Sequence, residues 1–351
     1  MPSKSDLIRS FNPNTIALDN GNLLGLPFDY DTADVIVIGV PWEVTVSYRP
    51  GTAWGPQRVL AASRQLDIYD FDYPDGWQRG IFMLPIAADI KQQSDDLRTR
   101  VEHILECLEN GADIEHNSEL CDTRDAIEQA CLALNQWLFA QTKAAIAAGK
   151  WVGILGGDHS VPLGYLQALA SHYDNFGILH IDAHADLRVA YEGFQFSHAS
   201  IMDNVLKLPQ VTKLVQVGIR DLCHEEIDRI GQSAGRVVMY ADPWLKSKRY
   251  HGVTWQALCE QIVEHLPQQV YVSFDIDGLD PKLCPNTGTP VPGGLELEEA
   301  FCLFREIVRS GRQMIGFDVC EVGNGEWDAN VGARAVYKLC NLIGLPPQPR
   351  P

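Results

Sequence analysis

The order in which apolar runs recur constrains this chain most. Short segments rich in β-branched residues, each too short for a helix, alternate with longer amphipathic stretches. The runs at 35–40, 151–155, 176–181, 214–217, 237–240, 270–274 and 314–319 read as strands. Several are apolar on both faces, as required of a parallel sheet covered on two sides. Amphipathic stretches at 126–148, 254–265 and 297–309 lie between them. Strands separated by helical patterns predict one doubly wound α/β domain.

The chain has 351 residues, enough to bury a large core without covalent staples. Its formal net charge of −18 argues against nucleic acid or an anionic membrane as a partner and favours a small cationic substrate. The nine cysteines are scattered without a CxxC pair, which predicts reduced thiols in a cytoplasmic protein. The N-terminal stretch has no apolar signal core, and no run is long enough to predict a transmembrane helix. Residues 1–32 read as an N-terminal arm lying on the domain or on a neighbouring subunit. The main domain is expected over 33–345, with the charged segment 92–121 as a surface insertion and 346–351 as a flexible tail.

Three short segments concentrate potential metal ligands, and each follows a predicted strand. They are Gly156-Gly157-Asp158-His159-Ser160, Asp182-Ala183-His184-Ala185-Asp186 and Asp275-Ile276-Asp277-Gly278-Leu279-Asp280-Pro281. Ligands of open parallel sheets bind at the carboxyl ends of the strands, so three such segments can converge on one crevice. At a strand end residues i and i+2 face the same side, which groups Asp182, His184 and Asp186, and likewise Asp275 and Asp277. Carboxylates crowded in this way repel one another unless positive charge offsets them. Two divalent ions with His159 and His184 as neutral ligands come close to balance, and an oxygen-rich set with imidazoles suits Mn²⁺. Taken singly, each motif has a plain alternative: Asp-x-His arises by chance, and Gly-Gly-Asp-His can be a capped turn. The third lacks the terminal Glu of a twelve-residue calcium loop.

Together the three segments resemble the signature motifs of the ureohydrolase (arginase/agmatinase) family. Arg49-Pro50-Gly51-Thr52-Ala53-Trp54-Gly55-Pro56 and Thr287-Gly288-Thr289-Pro290 with Gly293-Gly294 extend the likeness. The resemblance implies a three-layer α/β/α fold with a mainly parallel eight-stranded sheet, assembled as homotrimers or homohexamers. It implies two Mn²⁺ per subunit, with Ni²⁺ as the alternative. One ion would be held by His159, Asp182, Asp186 and Asp275, the other by Asp182, His184, Asp275 and Asp277. Such ions activate water for attack on a guanidinium carbon, releasing urea and an amine. The family's roles fall on Asp186 as proton relay, His198 as proton shuttle and Glu321 as guanidinium partner. Trp327 is a candidate to stack on the substrate, or else a packing aromatic at a helix start.

The substrate tail is less sharply marked. Arginases that hold the α-amino group carry an Asp where this chain has Cys223, and a thiol cannot replace a carboxylate against ammonium. The run Tyr191-Glu192-Gly193 before Ser197-His198-Ala199 resembles bacterial agmatinases, and its Glu-Gly part also resembles plant-type arginases. The expectation is therefore agmatine cleaved to putrescine and urea. Arginine, guanidinobutyrate, guanidine or another small guanidine are the alternatives, as is a non-catalytic subunit of a hetero-oligomer. A single-zinc deacetylase of related fold would not need all of these ligands.

Overall fold

A computed structural model describes residues 2–346. Eight strands form one sheet: β1 Val35–Gly39, β2 Ile81–Met83, β3 Trp151–Leu155, β4 Phe176–Ile181, β5 Val211–Val217, β6 Val237–Tyr240, β7 Gln269–Asp275 and β8 Gln313–Cys320. Their order across the sheet is β2-β1-β3-β8-β7-β4-β5-β6, and every neighbouring pair is parallel. Side chains of a strand point alternately to the two faces. In β1 and β4 every residue is buried, so both faces of the sheet are covered and the fold has three layers.

One feature differs from expectation. Strand β2 was not anticipated, because its three residues carry too short a pattern. It is an edge strand, and Asn22 of the N-terminal arm occupies part of its open side. The Asn22 amide donates to Ile81 O at 2.9 Å and accepts from Met83 N at 2.9 Å. The arm thus lies on its own domain, with Leu23, Leu24 and Leu26 buried. The segment 92–121, expected as a surface insertion of helix and loop, forms most of the helix Ala88–Glu109 and the start of the helix Ser118–Ala147. Ile90, Ser94, Leu97, Val101 and Ile104 form a buried stripe at helical spacing. The expected tail lies, beyond residue 346, outside the described residues.

The central strands β3, β8, β7 and β4 are mutual neighbours, so their carboxyl ends share one stretch of the sheet edge. Each of the three ligand-bearing segments leaves one of these strands there. No helix among the described residues is long and apolar enough to cross a membrane.

Candidate active site and metal centre

The loop after β3 is shaped by close backbone approach. A Cβ on Gly157 would sit 1.8 Å from Trp42 O, so only glycine fits. Asp158 then turns the chain by accepting from Ser160 N at 3.0 Å. After β7, Asp275 caps a 3-10 turn by accepting from Asp277 N at 2.8 Å. After β4, Asp186 stands with φ 54, and after β8 Glu321 stands with φ 60. Left-handed backbone is unfavourable for both, and such strain persists where surrounding structure enforces it, often at functional sites.

Asp182 joins two groups of side chains. Its Oδ2 lies 3.1 Å from His159 Nδ1, and its Oδ1 lies 3.4 Å from His184 Nδ1. His159 Nδ1 also faces Asp186 Oδ2 at 3.1 Å and Asp275 Oδ2 at 3.3 Å. His184 Nδ1 faces Asp277 Oδ2 at 3.1 Å. The structure therefore brings His159, Asp182, His184, Asp186, Asp275 and Asp277 together, in two groups that share Asp182.

This donor set fits divalent cations. Buried carboxylates crowd the site, and among the described residues the ion pairs of Asp182, Asp186, Asp275 and Asp277 are with histidines, not with lysine or arginine. Imidazole and carboxylate are the donor types such ions take. The electrostatics show the same crowding. Burial and the neighbouring Asp182 push the Asp186 carboxyl up to about 6. Burial, then Asp277 and Asp182, raise Asp275 well above the usual carboxylate range. Burial opposes a charged His184, but Asp277 and Asp182 outweigh it and push the imidazole up to about 12.

Several supporting residues escaped the sequence reading. His180, inside β4, donates through Nε2 to Asp182 Oδ2 at 2.8 Å. Gln216 of β5 places its amide nitrogen 2.6 Å from Ala185 O and 3.0 Å from His180 Nδ1. Asp318 of β8 is buried, with one oxygen 3.6 Å from His159 Nε2, and Ser273 Oγ lies 2.8 Å from the same nitrogen. Farther out, the Arg220 guanidinium donates to Asp277 O at 2.7 Å, Val291 O at 2.9 Å and Leu279 O at 3.1 Å. It thereby ties the Asp277 turn to the 287–294 loop. Polar residues inside apolar strands give no sequence signal of their own, although a histidine two residues before a candidate ligand was one available clue.

A cavity of about 610 Å³ opens over this cluster, and His184, Asp186, Tyr191, Glu192 and His198 are among its lining residues. His198 Nδ1 lies 3.0 Å from Thr45 O, a carbonyl that can only accept, so Nδ1 carries the proton and Nε2 is free to accept one. Burial, then the charge of His184, lower the His198 imidazole to about 4.

Glu321 is buried, and its Oε1 accepts from His159 N at 2.9 Å. Its Oε2 faces Gly288, where even a Cβ would stand 3.5 Å away. Trp327 is not brought to the cavity. Its indole donates to Lys282 O at 3.1 Å, and the ring is half exposed at the start of the helix Glu326–Leu342. Cys223 caps the helix His224–Gln232, its backbone N–H bound to Glu226 Oε2 at 2.9 Å.

Comparison with known proteins agrees with this geometry. The model of the arginase family matches residues 33–342. The N(1)-aminopropylagmatine ureohydrolase of Thermus thermophilus is 31% identical over 90% of this chain and 92% of its own length. The agmatinase of Cronobacter sakazakii is 30% identical over 90% of this chain and 87% of its own. Among solved structures, the agmatine ureohydrolase of Thermoplasma volcanium superposes with a TM-score of 0.68 at 21% identity, covering 96% of each chain. That last likeness speaks for the fold, whereas the family match and the sequence relatives speak for kinship: the chain belongs to the arginase family and is an agmatinase-like ureohydrolase.

Proposed function

We propose that this chain hydrolyses a guanidino compound to urea and an amine, with agmatine, cleaved to putrescine, as the foremost substrate. The observation that carries the reading is the division of Asp182, one oxygen toward His159 and the other toward His184, beneath a cavity that also holds His198. We assign one ion to His159, Asp182, Asp186 and Asp275, and the second to Asp182, His184, Asp275 and Asp277. Two divalent ions, Mn²⁺ foremost and Ni²⁺ as the alternative, would supply Lewis acidity and offset the carboxylates.

The chain's own residues then do the positioning and the proton work. Glu321 Oε2, left uncovered by Gly288, is the acceptor for one edge of the guanidinium. Asp186, which lines the cavity, takes the proton lost by the attacking water and passes it toward the leaving amine. His198 is neutral near pH 7 and accepts at Nε2, which lies 3.4 Å from Ser47 Oγ. The planar guanidinium is resonance-stabilised, so orientation and proton transfer must accompany attack. Cys223, bound into a helix cap, offers no carboxylate for an α-amino group, which favours agmatine over arginine. The assembly is proposed as a homotrimer or homohexamer in the cytoplasm.

The test is urea release by the purified chain with Mn²⁺ or Ni²⁺ over agmatine, arginine, 4-guanidinobutyrate and guanidine. Agmatine should give the highest kcat/KM, and Asp277→Ala should lose turnover and one ion per chain. Full activity in that variant would reject the two-ion site, and absence of urea from every guanidine would reject the hydrolase reading.

A further inference from the structure

The wall of the cavity contains a carboxylate that the proposed chemistry does not use. Tyr191-Glu192-Gly193-Phe194 forms a tight turn, closed by Tyr191 N to Phe194 O at 3.0 Å and Phe194 N to Tyr191 O at 2.9 Å. Its central residues have φ 53 at Glu192 and φ 89 at Gly193, the pattern of a type I′ turn. Asn, Asp or Gly suit the first of these positions, and a Glu there is strained. The turn is nonetheless firmly held. Phe194 is fully buried, and the Tyr191 ring packs edge-on to His198 with centroids 6.1 Å apart.

The strained residue lines the cavity together with His198 and Asp186. One oxygen, Oε2, is shielded from solvent and has no hydrogen-bond partner. Burial also raises the Glu192 carboxyl above its usual range, although Arg98 and Arg188 oppose the rise. Neither arginine neutralises it by direct contact. The Arg188 guanidinium lies over the Tyr191 ring, 4.6 Å from its centroid, and Arg98 donates to the carbonyls of Val44 and Val46. Arg49, also on the cavity wall, lies 5.7 Å from the centroid of the Tyr48 ring.

We propose that Glu192 reads the far end of the substrate, binding a protonated primary amine so that the site selects aminoalkyl guanidines over uncharged or acidic ones. This rests on the guanidine-hydrolase reading and adds the residue that sets its substrate class. The Glu192 carboxylate on this wall has no arginine in direct contact, and a charge-assisted hydrogen bond from an ammonium group in a partly desolvated wall is the strong kind. Arg49 and Arg188 would favour a carboxylate tail instead, so the two outcomes are opposed and can be told apart.

The experiment is calorimetric binding of agmatine, butylguanidine and 4-guanidinobutyrate to the Mn²⁺-loaded chain, with urea release measured on the same samples. Wild type should bind agmatine at least tenfold more tightly than butylguanidine, and 4-guanidinobutyrate least well. Glu192→Gln should bring the agmatine-to-butylguanidine ratio close to one. Glu192→Asn, which suits the turn better, should do the same and guards against a folding defect. A wild-type ratio near one, an unchanged ratio in either folded variant, preference for 4-guanidinobutyrate, or no measurable agmatine binding would each overturn the assignment. Selective agmatine binding without urea would sink the hydrolase reading alone, and urea without selectivity would sink Glu192 alone.

Discussion

Gln216 shows how one side chain outside the ligand set can fix another within it. Its amide nitrogen faces Ala185 O, which can only accept, so its orientation is determined. The second hydrogen of that nitrogen then points to His180 Nδ1, and His180 must carry its proton on Nε2, toward Asp182. A neutral donor thereby holds the carboxylate shared by both groups. Partners of this kind typically contribute ten- to a hundredfold in metal affinity. Gln216→Leu should therefore weaken Mn²⁺ binding by about that factor in a metal titration while the far-ultraviolet circular dichroism stays unchanged. Equal affinity in the variant would reduce the network to packing. His198→Ala belongs at the same scale. Metal content should hold while kcat falls about 10²- to 10⁴-fold, the usual contribution of a positioned acid or base. Unchanged turnover would remove its proton role. The ligands themselves were legible because Asp and His recur at spacing two after apolar runs. His180 and Gln216 were not, because their meaning depends on β4 and β5 lying side by side.

At the scale of elements, the alternating apolar runs were enough to place all the strands except β2. That strand's three residues fall below the length at which a period can be recognised. The helix Ala88–Glu109 hides its inner face in the sequence for a different reason. Asp95, Asp96 and Glu102 dominate its composition, whereas the buried stripe occupies only every third or fourth position. The loops after the strands are a third case, since their order depends on Arg220. One planar guanidinium reaches carbonyls on both sides of the Asp277 turn, a task a lysine ammonium cannot match. Arg220→Lys should leave several carbonyls short of donors and cost about 2–4 kcal/mol of stability. It should also reduce occupancy of the ion assigned to His184 and Asp277 more than that of the other. Loss of both ions in equal measure would show that Arg220 supports the fold generally instead of this turn.

For the whole molecule, stability and metal binding are linked through the same cluster. The chain carries a formal charge of −18, and several of its carboxylates are drawn into one buried locus. Neighbouring carboxylates raise both His159 and His184, against the opposing effect of burial, so these imidazoles hold protons that an incoming cation must displace. The sign follows directly. Protons and metal compete for the same atoms, so Mn²⁺ affinity should fall as pH falls, and binding near pH 7 should release protons. Calorimetry in buffers of different ionisation enthalpy reads that release as a slope, and a zero slope would contradict the assigned ligands. An ion that binds the folded chain alone also stabilises it by mass action, by about 2.7 kcal/mol at a hundred times its Kd. With the unfolding entropy usual for a chain of this length, that corresponds to a Tm rise of roughly 4 °C. EDTA should reverse the rise, and Asp277→Ala should reduce it. Because His159 and Asp275 remain in that variant, a residual shift is expected, and complete loss would show that the two groups bind as one cooperative unit.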